Sequence, residues 1–366
     1  MPLRRQKDDT APLPPLYAMH HEGLEAVVAD EVTRDLGGEV KKTKRGTVVF
    51  RLDAIDEDVL ALRTTEDVYL LAWGSDTLTF KAADLKSIEQ WTAKQPDWNR
   101  LFKIHHAVRP MPKGKPTFHL VCQMQGEHGY RRVDALDAMA DGLKGKVPGS
   151  WVPADENAWL EIWLTIVGRT AVCGLRLSDR TMRHRTYKRE HVAASLRPTI
   201  AAAMVRLAGA GPGMTVLDPF CGAGTILAEQ IELSRRRRAG HIRVVGGDLD
   251  ATAVMNAGAN VERLGPADLC RWDATALPLA AESVDRIVTN PPFGKQLSSP
   301  EQIPGLYRAA AREWNRVLRP GGRAVFLVAE SITLRDAVKF HGWQQQREFR
   351  VRVLGQLATL SVWQKP

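Results

Sequence analysis

Long apolar runs, clustered cysteines and a surplus of acidic residues are all missing from this 366-residue sequence, and each shortage excludes something. No uninterrupted apolar stretch approaches the ~18 residues of a membrane span. Met1 to Pro15 is polar and proline-rich, without the apolar centre of a signal peptide, so a cytoplasmic location is expected. The four cysteines, Cys122, Cys173, Cys221 and Cys270, are about 50 residues apart and form no CxxC or Cys–His cluster. Neither a disulfide framework nor a zinc site is expected, and no metal is assigned. Lys and Arg number 51 against 42 Asp and Glu, a net charge of +9, which suits a polyanionic partner such as nucleic acid. The positive excess lies beyond residue 178, while the chain before it is nearly balanced.

What is present is 44% hydrophobic and 25% charged, the composition of a globular protein with two or three domains. In the first 80 residues, strand-like runs (Leu16 to Met19, Thr47 to Leu52, Val68 to Trp73) alternate with a helix-like stretch, His21 to Leu36, which ends at Gly37-Gly38. From Phe80 that order repeats. A helix is expected around Leu85 to Trp91, a strand over Phe118 to Met124, a helix over Ala135 to Leu143, and a hairpin formed by Trp159 to Val167 and Thr170 to Leu177. Arg180 to Lys188 is basic without apolar periodicity and reads as a linker. Beyond it, strands alternate with helices of ten or more residues, which implies a parallel sheet covered on both faces. Gln346 to Trp363 reads as an antiparallel hairpin broken at Gly355.

Residues 216–226, VLDPFCGAGTI, give a strand ending in Asp218, a loop with Gly222 and Gly224, and a helix opening at Thr225. Such glycines let the backbone approach a ligand. An acid ahead of them would repel a pyrophosphate, but it suits the ammonium and sulfonium of S-adenosylmethionine. Asp248 closes the next strand, where a nucleotide fold places its ribose ligand, and Asp273 follows the strand after that, in reach of an adenine amine. Asp250 reads as a helix cap. Each acid alone could be a cap, but three of them after three consecutive strands point to a cofactor site.

Residues 289–297, TNPPFGKQL, end the fourth strand of the series. Asn-Pro-Pro alone is a turn signal. Beside a methyl donor it acquires chemistry, because an exocyclic amine is a poor nucleophile whose lone pair is delocalised into its ring. If Asn290 and the Pro291 carbonyl accept its hydrogens, the nitrogen can pyramidalise toward the methyl. Pro291 and Pro292 would stiffen that backbone, and Phe293 would stack on the base.

DPFCGAGT followed by NPPFG resembles the class I S-adenosylmethionine-dependent amino methyltransferases. FHLVCQMQGEHGYRR, WLEIWLTIVGRTAVCGLRLSD and HVAASLRPTIAAAMVRLAG are similar to segments of the THUMP-domain RNA methyltransferases, and within that group to the tRNA guanosine-6 N2-methyltransferases. The resemblance implies an α/β fold. A Rossmann-like class I methyltransferase domain (198–366), mostly parallel with an antiparallel C-terminal hairpin, would follow α+β ferredoxin-like (1–80) and THUMP (81–178) domains and a linker (179–197). It places Leu196, Arg197, Pro198, Asp218, Pro219, Phe220, Cys221, Gly222, Gly224, Thr225, Asp248, Leu249, Asp273, Ala274 and Asn290 at the cofactor. Arg183, Arg185, Lys188, Arg189 and Lys295 are expected on the RNA. The implied protein is a monomer that acts on tRNA without an obligatory protein partner. Related motifs also serve guanine N2 in rRNA, adenine N6 in DNA and glutamine in proteins, and a non-catalytic RNA-binding protein on the same scaffold is the remaining alternative.

Overall fold

The computed structural model describes residues 12–156, 158–188, 196–237, 240–292, 300–353 and 355–366. The chain divides into two compact units. Unit 1 comprises Met1–Met19, Ala29–Leu62 and Asp67–Met182. Unit 2 comprises Arg183–Pro366 together with two short earlier segments, His20–Val28 and Arg63–Glu66.

Unit 1 is built on one mixed sheet of eight strands: β1 (Leu16–Met19), β2 (Glu39–Lys44), β3 (Thr47–Arg51), β4 (Asp67–Ser75), β5 (Thr117–Gln125), β6 (Val152–Pro153), β7 (Leu160–Val167) and β8 (Thr170–Arg176). Their order is β2-β3-β1-β4-β8-β7-β5-β6. Strands from both of the expected N-terminal domains therefore share a sheet, joined where β4 pairs antiparallel with β8. Helix α1 (Glu25–Leu36) begins in a unit 2 segment, and α2 (Ala83–Lys94), α3 (Trp98–Val108) and α4 (Arg132–Gly142) belong to unit 1. The basic run Lys41-Lys42-Thr43-Lys44-Arg45 is largely strand β2, at the sheet edge. Its lysines discourage edge-to-edge pairing, which is why it lacks the apolar alternation expected of a strand. Helix α3 escapes the sequence reading although Trp98, Leu101, Phe102, His105 and Val108 fall at helical spacing and Asp97 caps it by accepting from Arg100 N.

Unit 2 is an α/β fold. After α5 (Pro198–Ala208) come β9 (Thr215–Asp218), α6 (Thr225–Arg236), β10 (Arg243–Asp248), α7 (Ala251–Val261), β11 (Asp268–Arg271), β12 (Val284–Thr289), α8 (Ile303–Val317), β13 (Leu318–Val328), α9 (Ser331–Lys339), β14 (Gln344–Val353) and β15 (Gln356–Gln364). The sheet order is β11-β10-β9-β12-β13-β15-β14. The first five strands are parallel, and the C-terminal hairpin enters antiparallel with β15 on β13. Two apolar layers cover the faces. One gathers α5 and α6 side chains such as Ile200, Met204 and Leu227, and the other is centred on Trp314, Phe326 and Trp363. Successive strands run outward in opposite directions from β9 and β12, which creates a crevice at their carboxyl ends where open α/β sheets take ligands. Helix α9, absent from the sequence reading, covers part of this sheet through Leu334, Ala337 and Val338.

Candidate active site

Asp218, Asp248 and Asn290 all arrive at that carboxyl edge: the first two end β9 and β10, and the third follows the last residue of β12. Asp218 is 1% exposed. Burial pushes its carboxyl up to about 7, against the opposing hydrogen bond from Phe220 N at 3.2 Å. Asp248 is half-exposed and oriented by the backbone. Its Oδ2 accepts from Gly222 N at 2.9 Å and its Oδ1 from Asp250 N at 3.1 Å, which leaves one lone pair on each oxygen. This bond joins the second acid directly to the glycine loop. Asp250 accepts from Thr252 N at 2.9 Å and so is the α7 cap the sequence suggests. Asp273 lies exposed after β11, its Oδ1 held by Thr275 N and Oγ1 at 2.8 and 2.7 Å, and Ala274 beside it is buried.

The loop between β9 and α6 is fixed from below. Cys221 N donates to Gly247 O at 2.9 Å, Trp272 Nε1 to Pro219 O at 3.1 Å, and the buried Asn260 Nδ2 to Ala223 O at 3.0 Å. Burial pushes the Cys221 thiol well above its ordinary value, so it serves as an inert wall. Gly222 and Gly224 need glycine for different reasons. Gly224 has φ +72°, and a Cβ there would lie 2.9 Å from Ala257 Cβ, so it lets α6 and α7 meet. Gly222 has φ +50° and open space where a side chain would project. A cradle with a bare backbone floor, a desolvated acid and a prealigned second carboxylate fits a cationic nucleoside such as S-adenosylmethionine. Leu249, assigned to the same site, is 65% exposed next to Asp248.

At the opposite wall, Pro291 is buried and Asn290 half-buried. The Asn290 Oδ1 is shut off from solvent and has no hydrogen-bond partner among the described residues. A buried acceptor with nothing to accept from costs about 1–3 kcal/mol unless a ligand satisfies it. The Pro292 carbonyl, two residues along, is occupied: Tyr307 Oη, fully buried on α8, donates to Pro292 O at 3.2 Å. Sequence inspection misses Tyr307, because nothing in the local pattern of α8 marks one aromatic as a buttress. Phe293, Arg189 and Lys295 lie outside the described residues.

The remaining expected residues are arranged differently. Pro198 opens α5, with Arg197 at its N-cap. Glu66 accepts from Thr199 Oγ1 at 2.6 Å and lies 3.4 Å from Arg197 Nη1 and 3.1 Å from His21 Nε2. Burial would raise this carboxyl, but His21, Thr199 and Arg197 together hold it at about 2. The carbonyl of Leu196 takes a 2.8 Å bond from Lys188 Nζ.

For Arg185 the structure corrects the expectation of an RNA contact. The residue is 6% exposed, with Nε 3.2 Å from Glu229 Oε1 and Nη2 donating to Arg63 O at 2.6 Å. Arg63 grips the same carboxylate bidentately at 2.8 and 2.7 Å, and Tyr187 Oη donates to it at 2.7 Å. Burial would raise Glu229, yet the two arginines hold it below the usual carboxylate range. Lys188 is likewise half-buried, and desolvation lowers its ammonium. A run of basic letters in RTMRHRTYKR thus hides two structural cations, because composition does not distinguish a solvated face from a buried ion pair. Arg183 is half-buried.

Among the described residues no group of three or more His, Cys, Asp or Glu could hold a metal, and no helix is long and apolar enough to cross a membrane.

Residues 185–359 match the family described as UPF0020, RMKL-like, methyltransferase domain. The tRNA (guanine(6)-N2)-methyltransferase of Thermus thermophilus is 28% identical over 88% of this chain and 91% of its own length. The tRNA (guanine(10)-N2)-dimethyltransferase of Methanothermobacter thermautotrophicus is 33% identical over 72% of this chain and 73% of its own. The crystal structure of TrmN from Thermus thermophilus superposes with a TM-score of 0.77 at 26% identity, covering 96% of this chain and 99% of that one. With the strand order, the glycine loop and these relatives in agreement, the chain belongs to the class I S-adenosylmethionine-dependent RNA methyltransferases, with its RMKL-like match confined to residues 185–359.

Proposed function

We infer that the protein transfers a methyl group from S-adenosylmethionine to the exocyclic N2 amine of a guanosine in tRNA, guanosine 6 of the acceptor stem. The observation that carries this reading is the buried Asn290 Oδ1, without a hydrogen-bond partner among the described residues, beside Pro291 and Pro292 at the same sheet edge as Asp218 and Asp248. In this reading Asp248 holds the ribose hydroxyls, Asp218 faces the cationic end of the cofactor, and Asp273 with Ala274 borders the adenine. Leu196, Arg197 and Pro198 close the side of the cleft. The bound cofactor supplies an electrophilic methyl on a sulfonium.

Asn290 Oδ1 and the Pro291 carbonyl accept the two hydrogens of the guanine amine. Its lone pair is thereby freed from the ring and directed at the methyl carbon. Transfer to that nitrogen would leave the donor as a neutral thioether, and the proton shed by the amine would pass to solvent water. Orientation and exclusion of water dominate, with no side-chain base in the scheme. Tyr307 holds the Pro292 carbonyl and so keeps the turn from rotating. Residues 81–178 serve as the THUMP domain and, with the ferredoxin-like residues 1–80, position the tRNA 3′ end. The guanosine-6 assignment rests on the Thermus thermophilus relative, which matches along most of both chains.

The direct test is methyl transfer to tRNA transcripts followed by nucleoside mapping. N2-methylguanosine should appear at position 6 and vanish from a transcript with adenosine there. Methylation of DNA or protein instead of tRNA would refute the reading.

Two further outcomes are expected. Tyr307→Phe removes one hydrogen bond to the proline turn and should lower kcat about five- to tenfold while leaving cofactor affinity in place. Calorimetry with S-adenosylmethionine should show affinity falling as pH drops below about 7. Asp218 is then protonated in the free protein but ionised beside a cation, so binding releases a proton and weakens by up to about tenfold per pH unit. Asp218→Asn should flatten that profile.

A further inference from the structure

We propose that the groove between α8 and α9 is a second contact surface for the RNA, resting on the reading above that RNA is the substrate. The groove encloses about 550 Å³ and has Arg308 and Arg312 on the α8 wall and Phe340 and His341 at the end of α9.

Three observations support this. Arg308 and Arg312 are exposed, one helical turn apart on one face of α8, and neither carries an ion pair or hydrogen bond among the described residues. Most other arginines of unit 2 that line its surface are tied down, as Arg316, Arg319 and Arg335 are to Glu313, Asp285 and Glu348. Two guanidiniums without an ion-pair partner among the described residues, over an apolar floor, present charge and hydrogen-bond donors in the form that phosphates accept.

Phe340 is 86% exposed, the most exposed large apolar side chain among the described residues, and it stands at the rim of this groove. Unpaired cations interleaved with an open aromatic ring are what a nucleic-acid strand takes, backbone on the arginines and a base on the ring.

Position supplies the third argument. Tyr307, the residue before Arg308, reaches from the inner face of α8 to the Pro292 carbonyl. The groove therefore begins on the same helix that buttresses the proposed target pocket, and an RNA whose base enters that pocket has neighbouring phosphates within reach of α8. The single carboxylate among the lining residues, Asp336, is on the far wall. The surface also answers a question that the sequence left open, because the positive excess lies beyond residue 178 while Arg185 there is consumed by Glu229.

The test compares the wild type with R308E/R312E, R308K/R312K and F340A, reading tRNA affinity by filter binding at several salt concentrations and S-adenosylmethionine affinity by calorimetry. Charge reversal should weaken tRNA binding at least about tenfold and reduce the log–log salt slope by about 1.4–1.8, the share of two phosphates. The lysine pair should restore most of the slope. F340A should weaken binding about tenfold with no change in slope. Cofactor affinity should match the wild type throughout, which excludes unfolding. If R308E/R312E binds tRNA with wild-type affinity and slope, the proposal is overturned and the groove falls to an acidic protein partner. If the wild type itself neither binds nor methylates tRNA, the substrate reading fails first and takes the groove with it.

Discussion

Asn290→Ala should lower kcat by about two to three orders of magnitude, the range seen when one preorganised polar group is removed from a reacting centre. The amide oxygen is shut off from solvent and has no partner of its own among the described residues, so its deletion breaks no hydrogen bond of that oxygen among them. In the proposed mechanism the loss should fall on kcat, because the acceptor acts on the amine as the nitrogen changes geometry, and the carboxylates assigned to the cofactor are on other strands. Equilibrium binding of S-adenosylmethionine should stay within about twofold. Single-turnover transfer to tRNA measured beside cofactor calorimetry separates the two quantities. Near-normal turnover in this variant would remove Asn290 from the chemistry, and with it the account of how the amine is activated.

The largest effect on stability is expected at Glu229, far from the chemistry. Its carboxylate is 1% exposed and accepts from Arg63, Arg185 and Tyr187. Glu229→Ala leaves two guanidiniums buried beside a vacated carboxylate, a change that costs about 3–5 kcal/mol. The unfolding midpoint of unit 2 should fall by roughly 10 °C in calorimetry. The sign of the pH dependence follows from the depressed carboxyl. The wild-type contribution is complete above the ordinary glutamate value of about 4.3 and disappears as acid pH falls through the lower folded value. Glu229→Ala should therefore destabilise strongly at neutral pH and progressively less in acid. A midpoint unchanged at neutral pH would mean that the three donors find other partners.

Sequence alone carried the catalytic half well, and the reason is local. Asp218 and Asp248 each end a strand of apolar residues and Asn290 follows one, and glycines and prolines announce the turns that follow, so the candidate site is written in short contiguous motifs. The C-terminal hairpin was legible in the same way, with Gly355 between two strands. Features that depend on distant residues were not legible. Glu229 looks like an ordinary helical glutamate until Arg63 arrives from 166 residues earlier. Tyr307 gains its role from a carbonyl 15 residues away, and Arg185 reads as an RNA contact only while its partner is unknown. Strand β2 stayed hidden because edge strands are polar by necessity, whereas α3 had a readable apolar stripe that went unused.

The catalytic unit is also discontinuous along the chain, since it includes residues 20–28 and 63–66 as well as 183–366. A gene fragment beginning at codon 183 would encode Glu229 with one of its two arginines and Thr199 without the carboxylate that accepts its hydroxyl. Recombination that replaced the front of this chain would have to bring along Arg63 and Glu66, or supply substitutes for them. Descent can therefore vary the sequence around those two positions far more readily than it can delete them.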